Sequence, residues 1–281
     1  MKPNSYSALL LFTSLISLQA FSQQQPYQYQ VEVIYKLTSQ PDSTDKKSIK
    51  EEFVTLLIGN AQSIFCATQY LVMDSAITAE LTKGNTFGPP MGFFLANGTH
   101  NSLVVFKDTS TIFTFEPASR FISPATVYKY EEPKSQFSWT ILEDTLSIGG
   151  IRCQKATTEF GGRKWVAWFA PSIPINEGPY KFNGLPGLIF RVNDTQQYWN
   201  FDLASATTVN KSVEIHFQNK TPQPIKDKET FLSKKKYSRD NRFQLMKLQG
   251  GYRFKDPAYS MKKYEEDAKK DNNWIELYNG K

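Results

Sequence analysis

Residues 153–194 read CQKATTEFGGRKWVAWFAPSIPINEGPYKFNGLPGLIFRVND, and this stretch decides the fold. Two β-rich runs, Ile151–Phe160 and Arg163–Phe169, meet at Gly161-Gly162. Glycine reaches positive φ without a Cβ clash, so a Gly-Gly pair between such runs predicts a β-hairpin. A second pair, Gly149-Gly150, separates Ile151 from the alternating Phe137, Trp139 and Ile141. After the hairpin, Pro171, Pro174 and Pro179 constrain a connection. Gly184 and Gly187 then allow backbone conformations or close approaches that a Cβ would block, Pro186 restricts Leu185 toward extended geometry, and Leu188–Val192 enters another strand.

The same pattern extends outward. Tyr27, Tyr29, Val31, Val33, Tyr35 and Leu37 alternate with Gln28, Gln30, Glu32, Ile34 and Lys36, which predicts a strand with one buried face. Further strands are expected at 53–58, 103–107, 111–115, 126–130, 199–203 and 212–217. Residues 63–81 lack alternation and read as a helix, with Ile64, Ala67 and Leu71 near one face. Segments 226–248 and 259–270 also read as helical. The expected class is α+β, mainly antiparallel β: a twisted sheet or half-open barrel with a helix near 63–81 and helical segments at the C-terminal end.

Composition divides the chain. Lys2 is the only charge before Glu32, the run ALLLFTSLISL follows, and Ala20-Phe21-Ser22 offers a small-x-small exit. This pattern predicts a secretory signal over 1–22, too short for a membrane span. The remaining 259 residues divide into a β-rich domain over 23–222 and a basic, partly helical segment over 223–281. From Lys220 to Lys281 there are 16 Lys or Arg against 9 Asp or Glu, in a chain of net charge +6. That tail reads first as a solvated helical face, with peripheral contact to an anionic membrane or an acidic partner as the alternative. No other stretch is long and apolar enough to span a bilayer, and nucleic acid is not an expected partner of an exported chain without a recognition motif.

Chemistry-bearing residues are sparse. His100 and His216 are the only histidines, and no spacing marks a metal site. No G-x-S-x-G elbow, phosphate loop or HExxH helix occurs. The sequence therefore assigns no catalytic, cofactor or metal residue, and it favours neither catalysis nor its absence. Glu51-Glu52 and Glu131-Glu132 are adjacent pairs whose side chains diverge on a strand; they read as solvated carboxylates. Arg163 and Lys164, just past the hairpin turn, read as solvent-facing. Cys66 and Cys153 could form one disulfide after export, or remain two buried thiols.

The linked elements Cys-Gln-Lys-Ala-Thr, Gly-Arg, Ala-Trp-Phe, Ile-Pro and Gly-Pro, followed by Gly184-Leu185-Pro186-Gly187-Leu188-Ile189, resemble the GLPGLI family in order and spacing. Leu57-Ile58-Gly59 with Ser63-Ile64-Phe65 is similar to that family's N-terminal block. Asn272-Asn273-Trp274-Ile275-Glu276-Leu277 resembles its ending, with Trp274 where Pro is common. The resemblance implies an exported envelope protein of a Gram-negative bacterium, in the periplasm, at the outer membrane or outside the cell, with no catalytic set to carry over.

Two readings of the signature stand side by side. One is a rigid crossover pinning two parts of a sheet; the other is a rim presenting Trp168, Tyr180 and Phe182 to a ligand or partner. Three functions follow in order: a non-catalytic envelope accessory or binding protein, acting with an outer-membrane transport system; a carrier of a lipid or other apolar ligand in a half-open barrel; and a hydrolase with an unrecognised site.

Overall fold

A computed structural model describes residues 27–85, 88–90, 92–93, 98–119, 126–249 and 253–277. The expected leader over 1–22, most of the MGFFL stretch at 91–95 and the last four residues lie outside the described residues.

Among the described residues twelve strands form one open sheet. In chain order they are β1 (Tyr27–Ser39), β2 (Lys50–Ile58), β3 (Ser63–Ala67), β4 (Val104–Lys107), β5 (Thr111–Pro117), β6 (Val127–Pro133), β7 (Thr140–Ile148), β8 (Ile151–Phe160), β9 (Arg163–Ala170), β10 (Leu188–Asp194), β11 (Trp199–Val213) and β12 (Gln223–Pro224). Their spatial order is β12-β6-β5-β4-β3-β2-β1-β11-β10-β9-β8-β7. Every neighbouring pair is antiparallel except the short β12–β6 contact. The helices are α1 (Thr68–Thr82), α2 (Lys228–Asp240), α3 (Arg242–Gln249) and α4 (Pro257–Lys270). This is the expected mainly antiparallel α+β class, open rather than closed. Among the described residues no helix is long and apolar enough to cross a membrane.

The details differ in instructive places. Residues 63–67 are strand β3, and the helix begins only at Thr68. All five β3 residues are buried, because the strand lies between β2 and β4 with packing on both faces. Such a strand shows no alternation, so the sequence resembled a helix there. Segment 199–203 is the start of a single strand that continues to Val213. The expected strand at 212–217 ends early: Phe217, Gln218 and Asn219 all have positive φ, and the Asp74 carboxylate of α1 accepts the backbone N–H groups of His216 and Gln218. Gly149, Gly150, Gly161 and Gly162 have the positive φ that their hairpin turns require.

Alternation sets the two layers of core. Val33, Tyr35 and Leu37 of β1 and Phe65 of β3 join β8, β9 and β10 in the main cluster. Tyr29, Ile64, Cys66 and Tyr70 pack in a second cluster on the opposite face with α1. A third, small cluster seats Phe231 and Leu232 of α2 on Tyr130 of β6.

The connection from β9 to β10, residues 171–187, leaves the sheet and enters the main core. Tyr180, Phe182 and Leu185 are buried there among Phe65, Phe160 and Trp165. The space that a half-open barrel would leave for a ligand is occupied by the chain's own connector.

Candidate functional site

The connector carries charge into the core, and three sets of ionic contacts hold it. In the first, Lys181 of the connector and Lys228 of α2 each contact both Glu132 of β6 and Glu276 of the C-terminal segment. Lys228 lies 2.7 Å from each carboxylate, and Lys181 lies 2.5 Å from Glu276. Four charges thus alternate around a closed ring. The Tyr180 hydroxyl donates to Glu276, and Lys181 donates to the Tyr130 hydroxyl at 3.2 Å. The Lys181 ammonium also lies 4.9 Å from the Tyr130 ring centre and 5.3 Å from that of Tyr180, within cation–π range.

Burial opposes the charges on Glu276, Lys181 and Lys228, and their partners outweigh it. Burial would raise the Glu276 pKa, but Lys181 and Lys228 bring it down to about 2. Burial would lower that of Lys181, but Glu276 and Glu132 hold it above the ordinary lysine value. Burial, reinforced by the nearby carboxylates, pushes the Tyr130 and Tyr180 phenols well above their usual range. Glu276 and Lys181 join four separate parts of the chain, the connector, β6, α2 and the C-terminal segment, and so anchor the connector.

The second set centres on Glu177 of the connector. Its carboxylate meets Lys107 of β4 at 2.6 Å and Lys134 at 2.7 Å, and accepts from the Ser63 hydroxyl at 3.1 Å. Burial resists the charge, but the two lysines hold the Glu177 pKa below its ordinary value. Lys107 is fully buried and also donates to the Gly178 and Phe182 carbonyls at 3.0 and 3.3 Å. In the third set Arg163 of β9 pairs with Asp194 of β10 at 2.9 Å. The same guanidinium donates to Asn273 Oδ1 at 2.6 Å and to the carbonyls of Trp274 and Ile275, clamping the C-terminal segment.

Arg163 is therefore not solvent-facing as its place after the turn suggests; it is 4% exposed. The alternation held the missing signal: Arg163, Trp165, Ala167 and Phe169 share the inward face. Glu132 likewise shares the buried face of Tyr130, while Glu131 pairs outside with Lys129. Lys164, by contrast, is exposed.

The residues read as a rim fall in different places. Tyr180 and Phe182 are core residues, at 2% and 0% exposure. Their backbone turns inward because the connector is braced from within, Gly184 N–H to the Asn176 carbonyl and Leu188 N–H to the Ile173 carbonyl. Trp168 alone lies half-buried, on the opposite face of β9. In the signature itself, Gly184 takes φ +88°, and a Cβ on Gly187 would sit 2.2 Å from the Ala170 carbonyl oxygen. Leu185, Leu188 and Ile189 are buried, and Pro186 is exposed. Cys66 and Cys153 are free, buried thiols in different core clusters, on strands separated in the sheet by β2, β1, β11, β10 and β9.

Two concavities flank this anchored core. A cleft of about 260 Å³ has Phe65, Leu103 and Phe201 in its lining, with Lys235, Arg239 and Trp274 also contributing. A groove of similar volume is lined by aromatic and aliphatic residues of β1, β4, β5 and the segment after β11, among them Tyr27, Phe106, Phe115, Ile215 and Phe217.

The three ionic sets tie Arg163, Glu177 and Lys181 to the rest of the molecule, and all three lie in the stretch that is shared. Residues 161–191 match a family described as "Protein of unknown function (Porph_ging)". The Porph_ging match takes in the β8–β9 turn, β9, the whole connector and the start of β10. No curated protein matches the chain in sequence. Among solved structures the fold is similar to PNGF-II in crystals of space group C2, at 12% identity and TM-score 0.49, and of space group P21, at 11% and 0.49. Each likeness covers 75% of this chain and 33% or 34% of that one, so the chain spans about a third of the length of PNGF-II.

Proposed function

We propose that this chain is an exported, GLPGLI-type envelope protein that acts by binding a protein partner and carries out no chemistry of its own. The observation that carries the reading is the division of labour between inside and outside. Inside, the convergent carboxylates Glu132, Glu276, Glu177 and Asp194 are each committed to a lysine or arginine that anchors the connector or the C-terminal segment. Outside, the aromatic groove puts Phe106, Phe115 and Phe217 together at a surface, with Phe115 and Phe217 4.7 Å apart. Aromatic clusters are favoured anchors for protein partners. Export rests on the charged, apolar, small-residue start of the sequence, and an outer-membrane transport assembly is the partner class in view.

Crosslinking pull-down from the native envelope tests this. The intact chain should recover a reproducible protein partner, and Phe106→Glu should lose it while keeping a wild-type circular dichroism spectrum. Equal recovery by both chains, or no partner for either, overturns the proposal.

One observation favours a second reading, a carrier of a small apolar ligand. The cleft beside Trp274 puts Phe65, Leu103 and Phe201 among charged and polar groups of both signs, though its volume falls just under the roughly 300–1,000 Å³ of ordinary ligand pockets. Native mass spectrometry of the purified chain would reveal a retained lipid.

A further inference from the structure

The outer face of β8–β11 carries an unusual row. The register aligns Lys155 with Trp168, Trp168 with Arg191, and Arg191 with Asp202, across four adjacent strands. The next row on the same face aligns Val166, Asn193 and Asn200. Their strand neighbours Ala156, Ala167, Val192 and Phe201 are buried in the main core, so by alternation these two rows face away from it. Together with Gln197 and Leu146 they line a shallow depression of about 510 Å³.

Trp168 is the odd tryptophan of the five. Trp139 donates its indole N–H to the Asn183 carbonyl, Trp165 to the Phe160 carbonyl, Trp199 to the Asn273 carbonyl and Trp274 to Asp271. Trp168 has no such acceptor among the described residues. A buried indole N–H normally finds a protein partner; this half-buried one is left to solvent or a ligand, with the Lys155 ammonium 5.9 Å from its ring centre. Around it stand planar polar groups already oriented by one another: Arg191 donates to Asp202 through Nε, and Asn200 donates to the Gln197 carbonyl at 2.8 Å. Gln197 sits at φ +62° in the β10–β11 turn, a backbone conformation that side-chain-bearing residues seldom adopt.

We infer that this face binds a glycan, with Trp168 as the stacking platform. A sugar presents an apolar C–H face to an indole and a rim of hydroxyls, each a donor and an acceptor. Amides, a guanidinium and a carboxylate match such a rim, because between them they supply both kinds of partner. Three strand spacings make the row about 14 Å long, enough for a short oligosaccharide. A peptide partner would call for a larger apolar centre; apolar lining here is confined to Trp168, Val166 and Leu146. The inference goes beyond the partner reading, since it uses another face and another ligand class.

The test titrates the full chain with tetrasaccharides of β-linked glucose, N-acetylglucosamine, mannose and xylose, followed by calorimetry and by nitrogen–proton correlation spectra. At least one should bind with a Kd below about 1 mM and shift the Trp168 indole resonance, and Trp168→Ala should weaken it at least about tenfold. Asp202→Ala, which leaves the indole in place, should weaken it too, and Phe106→Glu should leave it unchanged, so that loss of partner recovery and loss of sugar binding are separable. The inference is overturned if none of the four binds at about 10 mM. It is equally overturned if both Trp168→Ala and Asp202→Ala bind as wild type does, or if a peptide and no sugar is found at Trp168.

Discussion

Glu276 concentrates the logic of the molecule in one side chain. It is buried, yet its carboxyl is held at about 2 by Lys181 and Lys228 against the cost of burial. An unfolded glutamate titrates near ~4.3. On acidification the unfolded chain therefore takes up this proton first, and stabilisation that is complete above about pH 5 is lost as the pH falls toward 2. Glu276→Gln should cost about 3 kcal/mol at pH 7, because it leaves two lysines facing one remaining carboxylate. The gap between variant and wild type should narrow at pH 3, as read by urea unfolding at both values; a gap that widens in acid would contradict the ring. None of this was visible from residue type alone. Glu276 lies in the recognisable Asn-Asn-Trp-Ile-Glu-Leu segment, but its two lysines come from positions 181 and 228, and sequence carries no measure of that distance. Arg163 and Glu132 were closer to legible, since both sit in register with buried neighbours on their strands.

Among the elements, strands with one wet face announced themselves. β1 and the β8–β9 hairpin fall where alternation and Gly-Gly pairs put them. β3, covered on both faces, did not. The connector's proline and glycine content predicts a constrained course, but it says nothing of whether the segment lies over the sheet or within it. Its inward course depends on contacts with distant elements: Lys107 on β4, Ser63 on β3, Trp139 before β7 and the C-terminal segment. That last dependence is testable. A chain ending at Asp271 would lose Asn273, the Trp274 and Ile275 carbonyls and Glu276 together, leaving Arg163, Lys181 and Lys228 short of partners. It should fail to unfold cooperatively, showing a broad thermal transition and binding a hydrophobic dye; a sharp transition near the wild-type midpoint would show that the segment is dispensable.

At the scale of the whole molecule, the sheet is open at β12 and β7, yet it carries two buried clusters. The two thiols report on them, Cys153 on the main cluster and Cys66 on the second. Cys66 is buried, and desolvation pushes its thiol pKa far up; burial also raises that of Cys153. A thiol without thiolate character is a poor nucleophile. Iodoacetamide should leave both residues unmodified in the native chain and label both in denaturant, with mass spectrometry counting the adducts. Labelling of Cys153 before unfolding would mean that the main cluster is open, and labelling of Cys66 that the second cluster with α1 is open.

The closed ring also imposes an order in time. Glu132 and Lys181 precede Glu276 in the chain, and no other carboxylate among the described residues pairs with both Lys181 and Lys228 besides Glu132. Until residues 273–277 emerge, the connector's lysine has half its counter-charge and Arg163 lacks the carbonyls it clamps. The core is therefore completed only once residues 273–277 have joined what precedes them. A nascent chain of this design cannot close its ring until the segment at 273–277 has arrived.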